Sequence, residues 1–520
     1  MPWVSSLNST APKELMADLK GSLAPSTSFT VDREWPLNGL PDDLLLLILS
    51  FTEVMDIIRL RQTCKRMYKL TKLRWVWSTA IRRLVNEKRL TVPALNHDTK
   101  AFSVKHFETR AVHAVKFHEN WHSPQPSPRH RIRIQTLDSA IKKVFFLPGR
   151  KGEILVTVTN RTIACWEVPL MGSEGFCIAK LVSPADIYDV VINEVPTHDT
   201  QIVFNHRAPP GSSDCTVITC HLDEFHGRIV MLRRFSMPYG VGFSLYTLRG
   251  NWLVSGSMPY VVNVVAEDKP AMPLSNLEDD TILAVKLVGK YAFIVATKNF
   301  QLTQFESNNG EKPSVKILLG GTFRSPLRGA TIWAQRTTDV KGPNNSMAEA
   351  VSLVLRCADD GFETIKQLDW LYDPNHKSSP SRVPFLPPKT YTRTMMTAPS
   401  SCNLVVGMNG KGVFFETKTI TTSTRSSYTA RCIGGFELVR TEGRPVQRGK
   451  LESGSPSKIW HPPCGPPNFV ECKKEIYSRR CDMGEILYRR YSLTSVALED
   501  MVGRIAVGDR NGVVEVLEYA

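Results

Sequence analysis

Seven short apolar runs recur from residue 153 to the end of the chain, and they restrict its fold more than any other feature. They are Glu153–Val168, Gln201–His206, Asn251–Val265, Tyr291–Phe305, Ser352–Leu368, Asn403–Lys418 and Arg504–Tyr519. Each is rich in Val, Ile, Leu or Phe, reaches a turn of Gly, Asn or Asp, and is followed by a second strand. With Ile154, Ile202, Leu253, Phe293, Leu353, Leu404 and Ile505 as anchors, the spacing is roughly 40–60 residues, the size of a four-stranded repeat with loop insertions. The last interval is about twice that. Its residues 441–485, rich in Pro, Gly and charge, favour an insertion over an eighth unit.

Seven such units predict a seven-bladed β-propeller. The series resembles the WD-repeat class, although Trp-Asp signatures are missing and Cys165-Trp166-Glu167 is the nearest approach. The last run supplies only a third strand. Arg131–Gln135 alternates charged and apolar residues, as a half-buried outer strand does, and is expected to complete the last unit.

The N-terminal part follows a different period. Leu40-Pro41-Asp42-Asp43 leads into the unbroken apolar run Leu44–Leu49. A short helix that is apolar all round has no solvated face of its own and must be covered on two sides. Pro41 suits the first helical position, and Asp42 and Asp43 suit the positive end of the helix dipole. A second helix is expected from an Asp56 N-cap through Leu70, with Ile57, Leu60, Cys64 and Met67 on its buried stripe. Helical patterning continues through Ser78–Val85, and Phe107, Ala111, Ala114, Phe117 and Trp121 lie close to one face of a further helix.

Leu40–Trp77 resembles the F-box, the helical module that docks on the Skp adaptor of cullin–RING ubiquitin ligases. The match needs no gap. Leu40 and Pro41 align with its opening pair, and Leu44, Ile48 and Leu49 with its first helix. Asp56, Ile57 and Leu60 align with its middle, Cys64 with its late Cys and Trp77 with its closing Trp. Leu47 departs from the pattern, standing where the family usually has a charge; it either enlarges the docking surface or fills the core. The resemblance implies adaptor contacts by Leu40, Pro41, Leu44, Leu45, Ile48, Ile57, Leu60, Cys64 and Trp77. Arg110–Trp121 resembles, more loosely, a linker that follows the F-box in fungal proteins of this family.

Composition bounds the remaining readings. The 520 residues carry a net charge of +15, conspicuous between Arg59 and Arg89. The excess complements an acidic adaptor, which the Skp proteins are as a family. The basic residues are spread without interleaved aromatics, so nucleic acid is not the expected partner. Eleven scattered Cys form no disulfide framework, and MPWVSSLNST lacks the basic and apolar regions of a secretory leader. Reduced thiols in the cytoplasm or nucleus are therefore expected, with no membrane span.

No Gly-x-Ser-x-Gly, phosphate-binding Gly-rich loop or His-Glu-x-x-His is present, which argues against an enzyme. His461, Cys464, Cys472 and Cys481 lack the Cys-x-x-Cys spacing of a zinc site, so no metal or cofactor is expected. Turns between second and third strands gather on one face of a propeller. Arg161, Tyr260, Lys298, Lys411 and Arg510 are the candidate substrate contacts there, suited to a phosphorylated or acidic target.

The expected plan is multidomain: a tail at 1–33, all-α F-box helices at 34–85, a helical linker at 86–125, and an all-β propeller at 126–520. The expected function is substrate recognition for an Skp–cullin–F-box ubiquitin ligase. The alternatives are a non-catalytic propeller scaffold with internally packed helices, or a propeller that binds RNA or phosphoinositide.

Overall fold

The structure is a computed structural model. It describes residues 39–121 except 89, 91 and 94–102, residue 123, most of 127–372, and beyond these 389–395, 404–407, 411–421, 427–437, 474–475 and 493–520. Internal packing divides the chain into two compact units, Met1–His118 and Glu119–Ala520. The expected tail, the four His and Cys residues from 461 to 481, and nearly all of the expected insertion at 441–485 lie outside the described residues.

The described helices are α1 (Asp42–Phe51), α2 (Val54–Arg61), α3 (Lys65–Leu70), α4 (Arg74–Asn86) and α5 (Val104–Trp121). Pro41 stands one position outside α1, with ψ 151°, and its carbonyl accepts the Leu45 N–H at 3.1 Å. Asp42 and Asp43 fill the first turn. The single helix expected from Asp56 to Leu70 is two. Thr63 Oγ1 donates to the Leu60 carbonyl at 2.8 Å, and Cys64, extended at φ −158°, caps α3 by accepting the Met67 N–H at Sγ, 3.4 Å away. Short polar side chains that satisfy local backbone groups let the chain leave one helix and start another. Asp56 does not cap; it lies in the first turn of α2 and pairs with Arg59 at 2.6 Å.

One core joins these helices. Leu45, Leu49, Val54, Ile57, Met67, Leu70, Val76, Trp77, Ile81 and Leu84 are buried in it, with Phe107, Ala111 and Ala114 of α5. All five residues spaced along one face of α5 are buried, as their period predicts. Arg61 grips Glu108 of α5 with two nitrogens, at 2.5 and 3.0 Å, and lies 5.5 Å over the Trp77 ring. Partial burial disfavours the Glu108 carboxylate, but the paired Arg61 and nearby Lys72 outweigh it and hold its pKa below the usual value.

Among the described residues the β-rich unit has seven four-stranded antiparallel sheets. Six are meanders in chain order, spanning 143–182, 187–238, 245–273, 282–322, 327–395 and 404–475. The seventh takes three strands from 493–518 and its fourth from His130–Gln135. There Ile132 stands opposite Val516 and Ile134 opposite Val514. Both isoleucines are 2% exposed while Arg131, Arg133 and Gln135 face solvent, the alternation read from the sequence.

From the second sheet to the seventh, each first strand packs beside the first strand of the next sheet, and the seventh's packs beside the first's. Lys143 pairs with Asp189 across the first and second sheets, and Lys142 Nζ donates to the Ile187 carbonyl at 2.7 Å. The seventh and first sheets approach closely. A Cβ at Gly508 would meet Ile141 and Val144, so only glycine fits that strand position.

The same junction holds a buried ion pair. Arg504, fully buried, donates to Glu518 at 2.9 Å, to the Gly152 and Val168 carbonyls at 2.9 and 2.5 Å, and to the Pro169 carbonyl at 2.7 Å. Its guanidinium thus ties the seventh sheet to two turns of the first. Losing one partner of such a pair leaves a charge without compensation in a dry site. Glu518→Ala should destabilise the β-rich unit by about 3–5 kcal/mol. Urea unfolding followed by the unit's tryptophans measures it.

Candidate docking surface

In α1 the apolar run divides by helical phase. Leu45 and Leu49 are 2% and 1% exposed and enter the core. Leu44, Leu47, Ile48 and Phe51, at positions i, i+3, i+4 and i+7, are 42%, 53%, 41% and 71% exposed. They form one solvent-facing stripe along the whole helix. Both ends of α1 are fixed by cations. Arg66 donates to the Leu40 carbonyl and pairs with Asp42, both at 2.6 Å, while Arg83 donates to the Ser50 and Thr52 carbonyls at 3.1 and 3.2 Å. The stripe is therefore presented on a rigid helix.

The nine adaptor candidates separate accordingly. Pro41, Leu44 and Ile48 are exposed; Leu40, Leu60 and Cys64 are half-buried against the core. Leu45, Ile57 and Trp77 offer no side-chain surface to a partner, which corrects their place among the contacts. Ile57 and Trp77 have no exposure, and Trp77 Nε1 donates to the Thr71 carbonyl at 2.7 Å. Their role is to hold α1 in position. Leu47 does not fill the core but lies on the exposed stripe, as does Phe51, which the family pattern does not mark. Its spacing of seven from Leu44 was the available signal.

The five turn residues of the β-rich unit do not form a set. Arg161, Lys298 and Arg510 are exposed in turns between second and third strands, and half-buried Tyr260 opens a third strand. Arg161 is paired with Asp186 at 2.9 Å. Lys411 is a correction. Its run supplies the first and second strands of the sixth sheet, so Lys411 lies at the other end of the sheet from those turns, and it is 7% exposed. The third strand comes later, at Ser427–Glu437, inside the long final interval.

A cavity of about 980 Å³ opens among the first strands of successive sheets, lined by Lys143, Asp189, Glu194, Tyr246 and Lys286 among others. Two ion pairs cross between sheets there. Lys143 pairs with Asp189, whose other oxygen accepts the Leu245 N–H at 2.9 Å; Lys286 pairs with Glu194 at 2.7 Å, and Thr247 donates to Glu194 at 2.8 Å. Such neutralised pairs serve to register one sheet on the next. Burial pushes the Cys165 and Cys220 thiols up to about 12, which makes them inert packing groups. Among the described residues no group of His, Cys, Asp and Glu is placed to hold a metal, and no helix is long and apolar enough to cross a membrane.

The division of α1 predicts unequal costs for similar truncations. Ile57→Ala should lower the stability of the helical unit by about 2–5 kcal/mol, and Ile48→Ala by less than about 1 kcal/mol. Thermal unfolding monitored by helical circular dichroism compares the two.

Comparison with known families agrees with this geometry. Residues 37–79 match the F-box domain family, a span that covers α1, α2, α3 and the first half of α4. No curated protein matches the chain.

Proposed function

We propose that the chain is a non-catalytic substrate receptor of an Skp–cullin–F-box ubiquitin ligase. The helical unit binds the Skp adaptor, and the β-rich unit holds a protein target. The observation that carries this reading is the solvent-facing stripe of Leu44, Leu47, Ile48 and Phe51 inside the span that matches the F-box. A stripe of four large apolar side chains on a helix whose other face is already packed is an unfinished core. Covering each contributes roughly 1.5–3 kcal/mol before the cost of association. Pro41 and the edges of Leu40, Leu60 and Cys64 complete the contact set. The exposed Lys65, Lys69 and Lys72 steer an acidic adaptor more than they hold it.

The β-rich unit is read as a seven-bladed propeller of WD-repeat-like form. Seven four-stranded sheets, first strands in succession and a closing strand from residues 130–135 support that reading. The looser fungal resemblance of Arg110–Trp121 is compatible with the buried face of α5. A scaffold with internally packed helices accounts for Leu45, Ile57 and Trp77 but leaves the exposed stripe without a purpose.

The test is co-purification of the full chain with an Skp adaptor, beside Leu44→Asp/Ile48→Asp. Both positions are exposed, so the variant keeps its fold. The expected result is stable binding by the parent and a loss of about a hundred-fold or more in the variant. A folded parent that binds no adaptor, or a variant that binds as well, overturns the proposal.

A further inference from the structure

The junction of the seventh and first sheets holds a second carboxyl besides Glu518. Glu499 ends the first strand of the seventh sheet, Leu493–Glu499, and stands opposite Arg504 in the ladder. Arg504 stands opposite Glu518, whose partner on the other side is His130. Residues directly opposite share a face, so one row runs Glu499, Arg504, Glu518, His130. A single guanidinium thus lies between two glutamates, and all five of its N–H groups are taken. Nε and Nη2 donate to Glu518, Nη1 to the Gly152 and Val168 carbonyls, and Nη2 again to the Pro169 carbonyl. None is left for Glu499.

Glu499 is also pressed between its neighbours. It is half-buried, and a Cβ at Gly152, in the turn of the first sheet, would lie 2.9 Å from its Cγ and 2.6 Å from Val502 Cγ2. Gly152 has φ 70°, and its carbonyl is one of those that Arg504 holds. On the other side Asp500, 1% exposed, abuts Gly407 of the sixth sheet, where a Cβ would run into its carboxyl. The first-sheet turn adds Glu153 and Arg150, which pairs with Glu224; Lys151 of that turn lies outside the described residues. The sixth sheet adds Lys411, whose carbonyl accepts the Gly407 N–H. The Glu499 carboxyl itself accepts the Met501 N–H and pairs with no cation among the described residues. Burial, with the Asp500 charge second, pushes it up to about 7.

We infer that Glu499 is a proton-operated latch on the junction of the seventh and first sheets. Protonated, it packs dry against the Gly152 turn and leaves Arg504 seated on the Gly152 carbonyl. Ionised, it draws water into that contact, pushes the turn away and loosens the Arg504 bond. The sign follows from the direction of its shift. A carboxyl held above its ordinary 4.5 favours the fold most below that pH; the contribution falls as pH rises and is gone above about 7. The junction is therefore tighter in mildly acidic than in mildly alkaline solution. This involves the β-rich unit alone and does not depend on the adaptor reading.

The test compares the full chain with Glu499→Gln, which keeps the shape of the protonated carboxyl and cannot ionise. Urea unfolding of the β-rich unit is followed by tryptophan fluorescence across mildly acidic to mildly alkaline pH. Referring the parent to the variant at each pH cancels His130 and the other titrating groups common to both. From about pH 5 to about pH 8 the parent's unfolding constant, relative to the variant's, is expected to rise by at least about ten-fold. Amide exchange at Gly152–Leu155 and Val502–Ile505, corrected for intrinsic rates, should quicken over the same range in the parent and not in the variant. The same pH dependence of unfolding in both chains overturns the inference, as does a parent that gains on the variant as pH rises. Exchange at those two segments that does not quicken in the parent also overturns it, and that readout stands even where the variant does not fold.

Discussion

The pairing of the first strand of the β-rich unit with its last decides what the rest of that unit can be. His130–Gln135 lies along Val513–Glu518, so residues separated by most of the chain share six ladder positions. Closing a loop of that length costs about 5 kcal/mol more than the shortest closure, because the entropy grows only with the logarithm of length. Burial of Ile132 and Ile134 against Val514 and Val516 offsets it. Arg504 then binds the closed sheet to the turns around Gly152, Val168 and Pro169.

The helical unit obeys a different constraint. Six consecutive apolar residues in α1 cannot all face one core, since successive side chains turn by about 100°. Leu45 and Leu49 take the inner face, and Leu44, Leu47 and Ile48 are left outside with Phe51. Ile57 and Trp77 pack beneath α1, and the cations Arg66 and Arg83 fix its two ends. Support and exposed surface are thus divided between different residues of one short segment.

Much of this was legible in the sequence. The period of α5, the alternation of 131–135 and six of the seven β-runs fall where their patterns put them, because burial on one face leaves a direct trace in residue order. The misreadings share a cause. The break between α2 and α3 depends on Thr63 and Cys64 bonding to nearby backbone, and their apolar stripe hides it. The sixth sheet was misnumbered because Leu404–Val406 reads as a second strand and is a first; that moved Lys411 to the wrong end. Family resemblance marked Leu45, Ile57 and Trp77 together with Leu44 and Ile48, and only three-dimensional burial separates support from surface.

Site-resolved cysteine labelling shows directly whether the α1 stripe is where an Skp adaptor sits. Leu47→Cys and Phe51→Cys, on the stripe, and Phe225→Cys, on the outer turn of the β-rich unit, would be exposed to a maleimide in the full chain with and without a bound Skp adaptor, and modification read by mass spectrometry at each position. The adaptor is expected to slow labelling at positions 47 and 51 by at least ten-fold and to leave position 225 unchanged. Unchanged labelling at 47 and 51 in a complex that has formed would contradict it, and would place the adaptor on another surface.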